Sequence, residues 1–470
     1  MDVSTCPGCR ERDARIAELE RRVAELEALV RDLTARLGIN ATNSSVPPSA
    51  NPLGAPKPVV KKPTGRKPGG QPGHPPHLKQ LLPPERVKEF IPFVPTHCRK
   101  CQAVLPAEPG PNDPSPIRFQ VAELPPIQAE ITEYQGHART CPCCGEVTQA
   151  PIPADVRAHG CGPRLTATLA YFTGRHHLPK RAAEEVSEDV FGVPIALGTI
   201  SALEREVSTA LEPAHAEALQ AVKDAAVKNV DETSWKEAGE KRWLWVAATT
   251  TVAAFTIHGK RSLLGLTTLL SNTIHGILCS DRWSVYACWP VLLRQICWAH
   301  LKRDFKKCLD RGGPGAFVGK EGLRIVRRVF KAWHLFRGGG LSRAQLQQRL
   351  SPVARELRKL LDAGRACADS KTAAFCANLV ELEPALWRFV VTDEVEPTNN
   401  HAERVLRRGV LWRKISFGCH SAAGCRFVER MLTVTQTLRL QKRNILHFLI
   451  AAVHNHRTHL PIPSLLPVQG

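Results

Sequence analysis

The chain has 470 residues, 43% of them hydrophobic, and a formal net charge of +20, which gives it the length and apolar content for two or three globular domains. A positive excess of that size points to a polyanionic partner, nucleic acid before a membrane surface. No apolar run reaches the roughly 18 residues of a membrane span, and Met1 to Cys6 lack the basic and apolar segments of a secretory signal. The expected location is therefore the cytoplasm, in association with the nucleoid.

Sixteen cysteines in a reducing compartment are expected as metal ligands and buried small side chains. Residues 1–38 begin with a Cys6-x-x-Cys9 pair and continue as a heptad seam. Ile16, Val23 and Val30 fall at a, and Leu19, Leu26 and Leu33 at d, the distribution that favours a parallel two-stranded coiled coil and hence a homodimer. Cys6 and Cys9 supply half of a zinc site, which the second strand of the coil can complete, or are ordinary thiols. Residues 39–84 contain no acidic residue and have twelve prolines between Pro47 and Pro84, the composition of a basic linker.

Residues 85–160 carry Cys98-Arg-Lys-Cys101 and Cys141-Pro-Cys-Cys144, two Cys-x-x-Cys knuckles on either side of an extended stretch, Ile127 to Tyr134. Four thiolates in this pattern suit a tetrahedral structural Zn²⁺. Cys98, Cys101, Cys141 and Cys144 are the expected ligands, with Cys143 and Cys161 as spare thiols that leave the choice of four open. Residues 161–220 read as helices. Lys180 to Val190 and Gly198 to Ala210, joined through Gly192, have a helix-turn-helix-like spacing that an ordinary helical connector also fits.

From Val227 the pattern becomes β-branched and aromatic. Strands are expected at 227–233, 243–249 and 252–258, then a helix from Ser262, a strand ending at Asp281, a helix, a strand from Gln295 and a helix from Leu301. Three strands followed by alternating α and β is the order of a ribonuclease H-like domain, here split into residues 221–309 and 393–455 by a helical insertion at 310–392 and followed by a tail at 456–470. The expected fold class is thus multidomain α/β, with an N-terminal coiled coil and a small zinc-binding module.

Asp231 and Asp281 fall at strand ends, and Glu403 falls near the start of a helix. Three carboxylates so placed can hold two Mg²⁺ or Mn²⁺ ions, hard cations that prefer oxygen ligands, for phosphoryl transfer. Glu232, Asp304, Glu394 and Glu396 are the competing carboxylates. His300, in Cys297-Trp-Ala-His300, is an expected neighbour of the catalytic site. Residues 397–460 hold eleven Lys or Arg against two acidic residues. Arg404, Arg407, Arg408, Arg413 and Lys414 are the expected contacts to double-stranded DNA, with a salt-sensitive affinity.

These residues resemble the DDE transposases of insertion-sequence family 66, large-subunit proteins with a leucine zipper, a zinc-binding domain and a catalytic domain. The resemblance rests on Gly69-Gly-Gln-Pro-Gly-His74, the paired knuckles, Val230-Asp-Glu-Thr233, Ser280-Asp-Arg-Trp-Ser-Val-Tyr286, Cys297-Trp-Ala-His300, Asn399-Asn-His-Ala-Glu-Arg404 and Arg413-Lys-Ile-Ser-Phe-Gly418. It implies that Asp231, Asp281 and Glu403 form the catalytic triad and that the substrates are the element's terminal inverted repeats and a target DNA. It also implies small accessory proteins from the same element. Two other readings use the same features: a non-catalytic dimeric DNA-binding regulator, and a nuclease on the same fold.

Overall fold

The computed structural model describes residues 15–26, 29 and 81–467 of the 470. Helix α1 (residues 15–26) leaves Ile16, Leu19, Val23 and Leu26 exposed, and Arg21 on its surface pairs with Glu18 and Glu25. Cys6, Cys9, Val30, Leu33 and residues 39–80 lie outside the described residues. No described helix is long and apolar enough to cross a membrane.

The chain divides into two compact units, Lys57–Ala129 and the remainder. In the first, the Cys98 knuckle is a tight turn in which Cys98 N–H donates to Ala103 O at 2.8 Å and Gln102 N–H to Cys98 O at 3.0 Å. In the second unit β1 (Ala138–Thr140) and β2 (Val147–Gln149) form an antiparallel hairpin around Cys141. There Cys141 N–H donates to Glu146 O at 2.8 Å and Gly145 N–H to Cys141 O at 3.0 Å. Both turns need a left-handed residue, Gln102 (φ 60) in one and Gly145 (φ 75) in the other. The expected extended stretch at Ile127 to Tyr134 contains no strand; the pairing sits immediately beside the second knuckle instead.

A short helix, α2 (Ala154–Ala158), leads into α3 (Pro163–His176), α4 (Lys180–Phe191), α5 (Leu197–Ala210) and α6 (Glu212–Asp224). Helix α4 ends at Gly192 with a left-handed φ of 66. The following helix α5 buries Ile200, Leu203 and Val207, while Glu204 pairs with Lys180 and Glu206 with Arg457.

Next come β3 (Val227–Glu237), β4 (Glu240–Ala248) and β5 (Ala253–His258), an antiparallel meander, then α7 (Leu263–Leu270), β6 (Ile277–Ser280), β7 (Arg294–Ile296) and α8 (Trp298–Arg311). The five-stranded sheet has the order β5-β4-β3-β6-β7, with β6 and β7 parallel to β3. Between β6 and β7, where a helix is expected, the chain makes two 3₁₀ turns, Ser284–Cys288 and Val291–Leu293. Pro290 separates them and lacks the N–H that a continuing helix needs.

The insertion holds α9 (Ala316–Arg337), α10 (Arg343–Arg365), α11 (Ser370–Glu381), α12 (Glu383–Leu386) and α13 (Arg388–Val391). Its core is shared with the sheet: Leu350, Leu357 and Leu361 of α10 belong to one cluster with Phe305 and Trp298 of α8, Ile296 of β7 and Ile277 of β6. Gln295 of β7 fixes it to the sheet by accepting from Phe389 N–H at 2.8 Å. The chain closes with α14 (Asn400–Ser416), α15 (Ala422–Leu440) and α16 (Ile445–Arg457). The single helix expected from Arg426 to His454 is two, because Lys442 adopts φ 58 and Asn444 caps α16 by accepting from His447 N–H.

Helix α15 closes the open edge of the sheet. Glu429, Thr433 and Thr437, spaced by one helical turn, accept from the N–H groups of Ile257, Phe255 and Ala253 on β5 at 2.5, 3.0 and 3.0 Å. Four helical residues rise about 6 Å and two strand residues about 6.7 Å, so one helix face stays in step with alternate edge amides that would otherwise lack partners. Burial pushes the Glu429 carboxyl up to about 7, opposed by the Ile257 N–H and by Arg430 and Arg426. Because the folded state holds this proton more tightly, its contribution falls as pH rises from about 4.5 to about 7. Glu429→Gln should remove that slope and, above pH 7, stabilise the fold by on the order of 1–3 kcal/mol, as read from denaturant unfolding of both proteins across this pH range.

Candidate active site

The parallel pairing of Val227, Lys228 and Asn229 with Ile277, Leu278 and Cys279 sets the geometry of the site. That register runs towards Asp231 on β3 and Asp281 just beyond β6, and the Asp281 charge is among those that act on the Asp231 carboxyl. The Asp231 carboxylate accepts from Glu232 N–H at 3.0 Å. Asp281, one residue past β6, accepts from Trp283 N–H at 2.9 Å, which turns the chain away from the sheet. Burial, and then the charges of Glu232, Glu403 and Asp281, raise the Asp231 carboxyl well above the usual range.

Glu403 arrives from the first turn of α14. This helix buries Ala402, Val405, Leu406, Gly409 and Trp412. Gly409 permits the approach, since a Cβ there would lie 2.4 Å from Leu244 Cδ2 of β4. Asn399 fixes the start of the helix without capping it. Its Nδ2 donates to Val230 O at 2.7 Å, one residue before Asp231, and its backbone N–H donates to Cys297 Sγ at 3.2 Å. Pro397 O accepts from Trp298 N–H at 2.8 Å. Residues 397–403 are thereby tied to both β3 and the start of α8, which carries His300.

The Cys297, His300 and Glu403 ligand atoms lie within 4.8 Å of one another. His300 Nδ1 is 3.6 Å and Arg303 is 3.8 Å from Glu403 Oε1, ion-pair distances too long for direct hydrogen bonds. Accordingly Glu403 Oε1, His300 Nδ1 and Asn399 Oδ1 are buried without hydrogen-bond partners. Burial, followed by Arg303, lowers the His300 ring below its usual value. Burial pushes the Cys297 thiol up to about 11, and its sulfur already accepts the Asn399 N–H, so a protonated, packed thiol describes it better than a thiolate ligand. The orphaned oxygens of Glu403 and Asn399 are donors of the kind a hard divalent cation takes, while the ligand atoms that converge are those of Cys297, His300 and Glu403.

The competing carboxylates are balanced or turned outward. Glu232 accepts from Tyr286 OH at 2.5 Å and from the Arg261 guanidinium at 2.5 and 2.8 Å, and Arg261 is itself stacked 4.0 Å over the Trp283 ring. Asp304 pairs with Arg282 and Lys307, Glu396 pairs with Arg337, and Glu394 is exposed. Among the described residues Asp231 and Asp281 have no ion pair.

Of the expected DNA contacts, Arg404, Arg407 and Lys414 are exposed and Arg408 is half-buried. Arg413 is turned inward and donates to Thr233 Oγ1 at 2.9 Å and to Ser234 O and Oγ at 2.5 Å, so it anchors α14 to β3. Cys98 and Cys101 belong to one compact unit, and Cys141 and Cys144 to the other. In each knuckle the first thiol is lowered chiefly by the backbone N–H of the fourth residue, Cys101 for Cys98 and Cys144 for Cys141. Asn399 is the site residue that sequence patterning leaves unassigned; its position four residues before Glu403 is the signal.

Residues 160–426, more than half the chain, match the family described as Transposase IS66 family, and the chain belongs to that family. Residues 3–80 match a second family, of unknown function (DUF6444). An uncharacterized protein, y4qI, of Sinorhizobium fredii (strain NBRC 101917 / NGR234) is 29% identical over 151 residues, covering 31% of this chain and 27% of that protein. The match therefore spans little more than a quarter of that relative's length.

Two substitutions separate positioning from charge. Asn399→Ala leaves a buried carbonyl without its donor and should cost about 1–3 kcal/mol. Asp231→Asn removes a buried charge and, with it, the like-charge crowding by Glu232, Glu403 and Asp281, and should stabilise the metal-free protein by about 1 kcal/mol. Thermal unfolding in a chelating buffer at neutral pH checks both; destabilisation by Asp231→Asn would refute the crowding account.

Proposed function

We propose that the chain is a DNA transposase with a ribonuclease H-like catalytic domain, in which Asp231, Asp281 and Glu403 act as the triad. The observation that supports this reading is that the charges of Asp281 and Glu403 both act on the buried Asp231, that neither aspartate has an ion pair among the described residues, and that Glu403 Oε1 lacks a hydrogen-bond partner. The strand order, three antiparallel strands followed by two parallel ones, supports the ribonuclease H-like assignment, and family membership supports transposition.

The three carboxylates would hold two Mg²⁺ or Mn²⁺ ions, which when bound activate a water or a 3′-hydroxyl for attack and stabilise the leaving oxygen. Asn399 holds Glu403 against β3. His300, kept neutral by burial and Arg303, and Arg303 itself stand where a scissile phosphate would meet them. Arg404, Arg407 and Lys414 offer exposed positive charge for the backbone of terminal inverted repeats and target DNA. Dimerisation through the α1 seam, zinc binding by the thiolates of Cys98, Cys101, Cys141 and Cys144, and accessory proteins from the same element belong to the same proposal. The matching hydrogen-bond pattern of the knuckles supports the zinc assignment.

A cleavage and strand-joining assay with Mg²⁺ on DNA carrying the element's ends tests the triad. Wild type should nick and join, whereas Asp231→Asn, Asp281→Asn and Glu403→Gln should bind DNA but lose at least about a hundredfold in rate, the scale of removing one group that stabilises transition-state charge. Variants that cut like wild type would refute the assignment, and a wild type that binds without cutting would favour a regulator. Metal analysis and sedimentation of the same preparations should find bound zinc that is lost in Cys98→Ser and Cys141→Ser, and a dimer dissociated by Leu19→Asp.

A further inference from the structure

A second cluster of unpaired charge lies where α3, α14 and α15 meet. Arg175 is in the last turn of α3, and His177 caps that helix with φ 60. Arg408 is on α14 and Arg439 in the last turn of α15. The junction is tightly packed. A Cβ on Gly174 would lie 2.8 Å from Met431 of α15, the His177 ring is 4.9 Å from the ring of Trp412, one turn beyond Arg408, and Trp412 meets Phe427 edge-on at 6.1 Å.

Among the described residues none of the three arginines has an ion pair or a side-chain hydrogen bond, although many other arginines of the chain have carboxylate partners. Arg175 Nε and both ring nitrogens of His177 are buried without partners. Burial, then Arg408 and Arg439, lower the Arg175 guanidinium. Burial, Arg439 and Arg407 do the same to Arg408, and burial, Arg175 and Arg408 push the His177 ring down to about 4. The negative C-terminal ends of α3 and α15 favour one cation apiece, but they do not account for a third arginine from the middle of α14 or for buried donors with nothing to accept from them. An oxyanion would meet both deficits.

The position relative to the carboxylates narrows the ligand. Five residues separate Glu403 from Arg408, about 140° around the helix and about 7.5 Å along it. These two residues flank the buried stripe of α14 on opposite sides, and the exposed arc between them carries Arg404 and Arg407. A phosphodiester strand lying on that arc passes from the carboxylates to the arginine cluster.

We propose that Arg175, Arg408 and Arg439, with His177, form a phosphate-binding site that grips the backbone of bound DNA beside the scissile position. This rests on the DNA-processing reading above but needs neither cleavage nor the metal assignment. The full chain is titrated with a duplex of fixed sequence at several salt concentrations, and its thermal midpoint is measured with inorganic phosphate against chloride at matched ionic strength. Wild type should be stabilised by phosphate. Arg175→Gln combined with Arg439→Gln should abolish that stabilisation, melt no lower than wild type in chloride and reduce the slope of log affinity against log salt by about 0.9, one phosphate, while Arg175→Lys keeps most of both effects.

Should the double variant fail to fold, Arg439→Gln alone, at an exposed position, should weaken the phosphate effect several-fold. An unchanged salt slope overturns the proposal. If phosphate protection is lost while the slope stays, the cluster takes free phosphate and the backbone assignment fails. Glu403→Gln should retain the full slope while losing cleavage, so failure of the catalytic reading is read separately.

Discussion

The burial of Asp231 on the central strand β3, within reach of the charges of Glu232, Glu403 and Asp281, is the constraint on which the site depends. A buried carboxylate with no ion pair costs several kcal/mol unless it is protonated or met by a cation. Among the described residues the chain pairs Glu232, Asp304 and Glu396 with arginines and leaves Asp231 and Asp281 without an ion pair. The rise of the Asp231 carboxyl is the same fact expressed as a protonation equilibrium.

Holding that cluster falls to helices that do not themselves carry the aspartates. Helix α14 is fixed by Asn399 at its start, by the close contact of Gly409 with Leu244 along its length, and by Arg413 bonded to Thr233 and Ser234 near its end. Helix α15 satisfies the outer edge of the sheet with one side chain per turn. The insertion α9–α13 is bonded to the start of α8 through Trp298 Nε1, which donates to Leu386 O at 2.8 Å, and to its last residue through the Arg311–Asp369 pair, so the element carrying His300 is fixed at both ends. A site that must bring together groups from distant parts of the chain needs such braces, because a displacement of an ångström misaligns the reacting groups.

The positive charge of the chain is not spread evenly in its effects. In the insertion much of it is matched, with Arg324 and Arg328 both on Glu356, and Arg358 on Asp362 and Glu383. Around α14 it is left open, on the exposed arc with Arg404 and Arg407 and in the cluster with Arg175 and Arg439. Net charge read from composition thus understates how much of the basic surface is free to meet phosphate at one place.

The sequence by itself determined the strands of the sheet, the glutamate in the first turn of a helix and the family motifs, because alternation, helical spacing and turn residues are local properties; Asp231, expected at a strand end, instead falls inside β3, which runs on to Glu237. Tertiary structure decided which carboxylates are paired and which are not, since Glu232 and Asp231 are adjacent in sequence and differ only in what faces them. It turned Arg413 inward, broke the last long helix at Lys442, replaced a helix with 3₁₀ turns around Pro290, and joined Arg175 to Arg408 across more than two hundred residues. Those outcomes depend on non-local contacts and on burial, neither of which is encoded within a window of sequence.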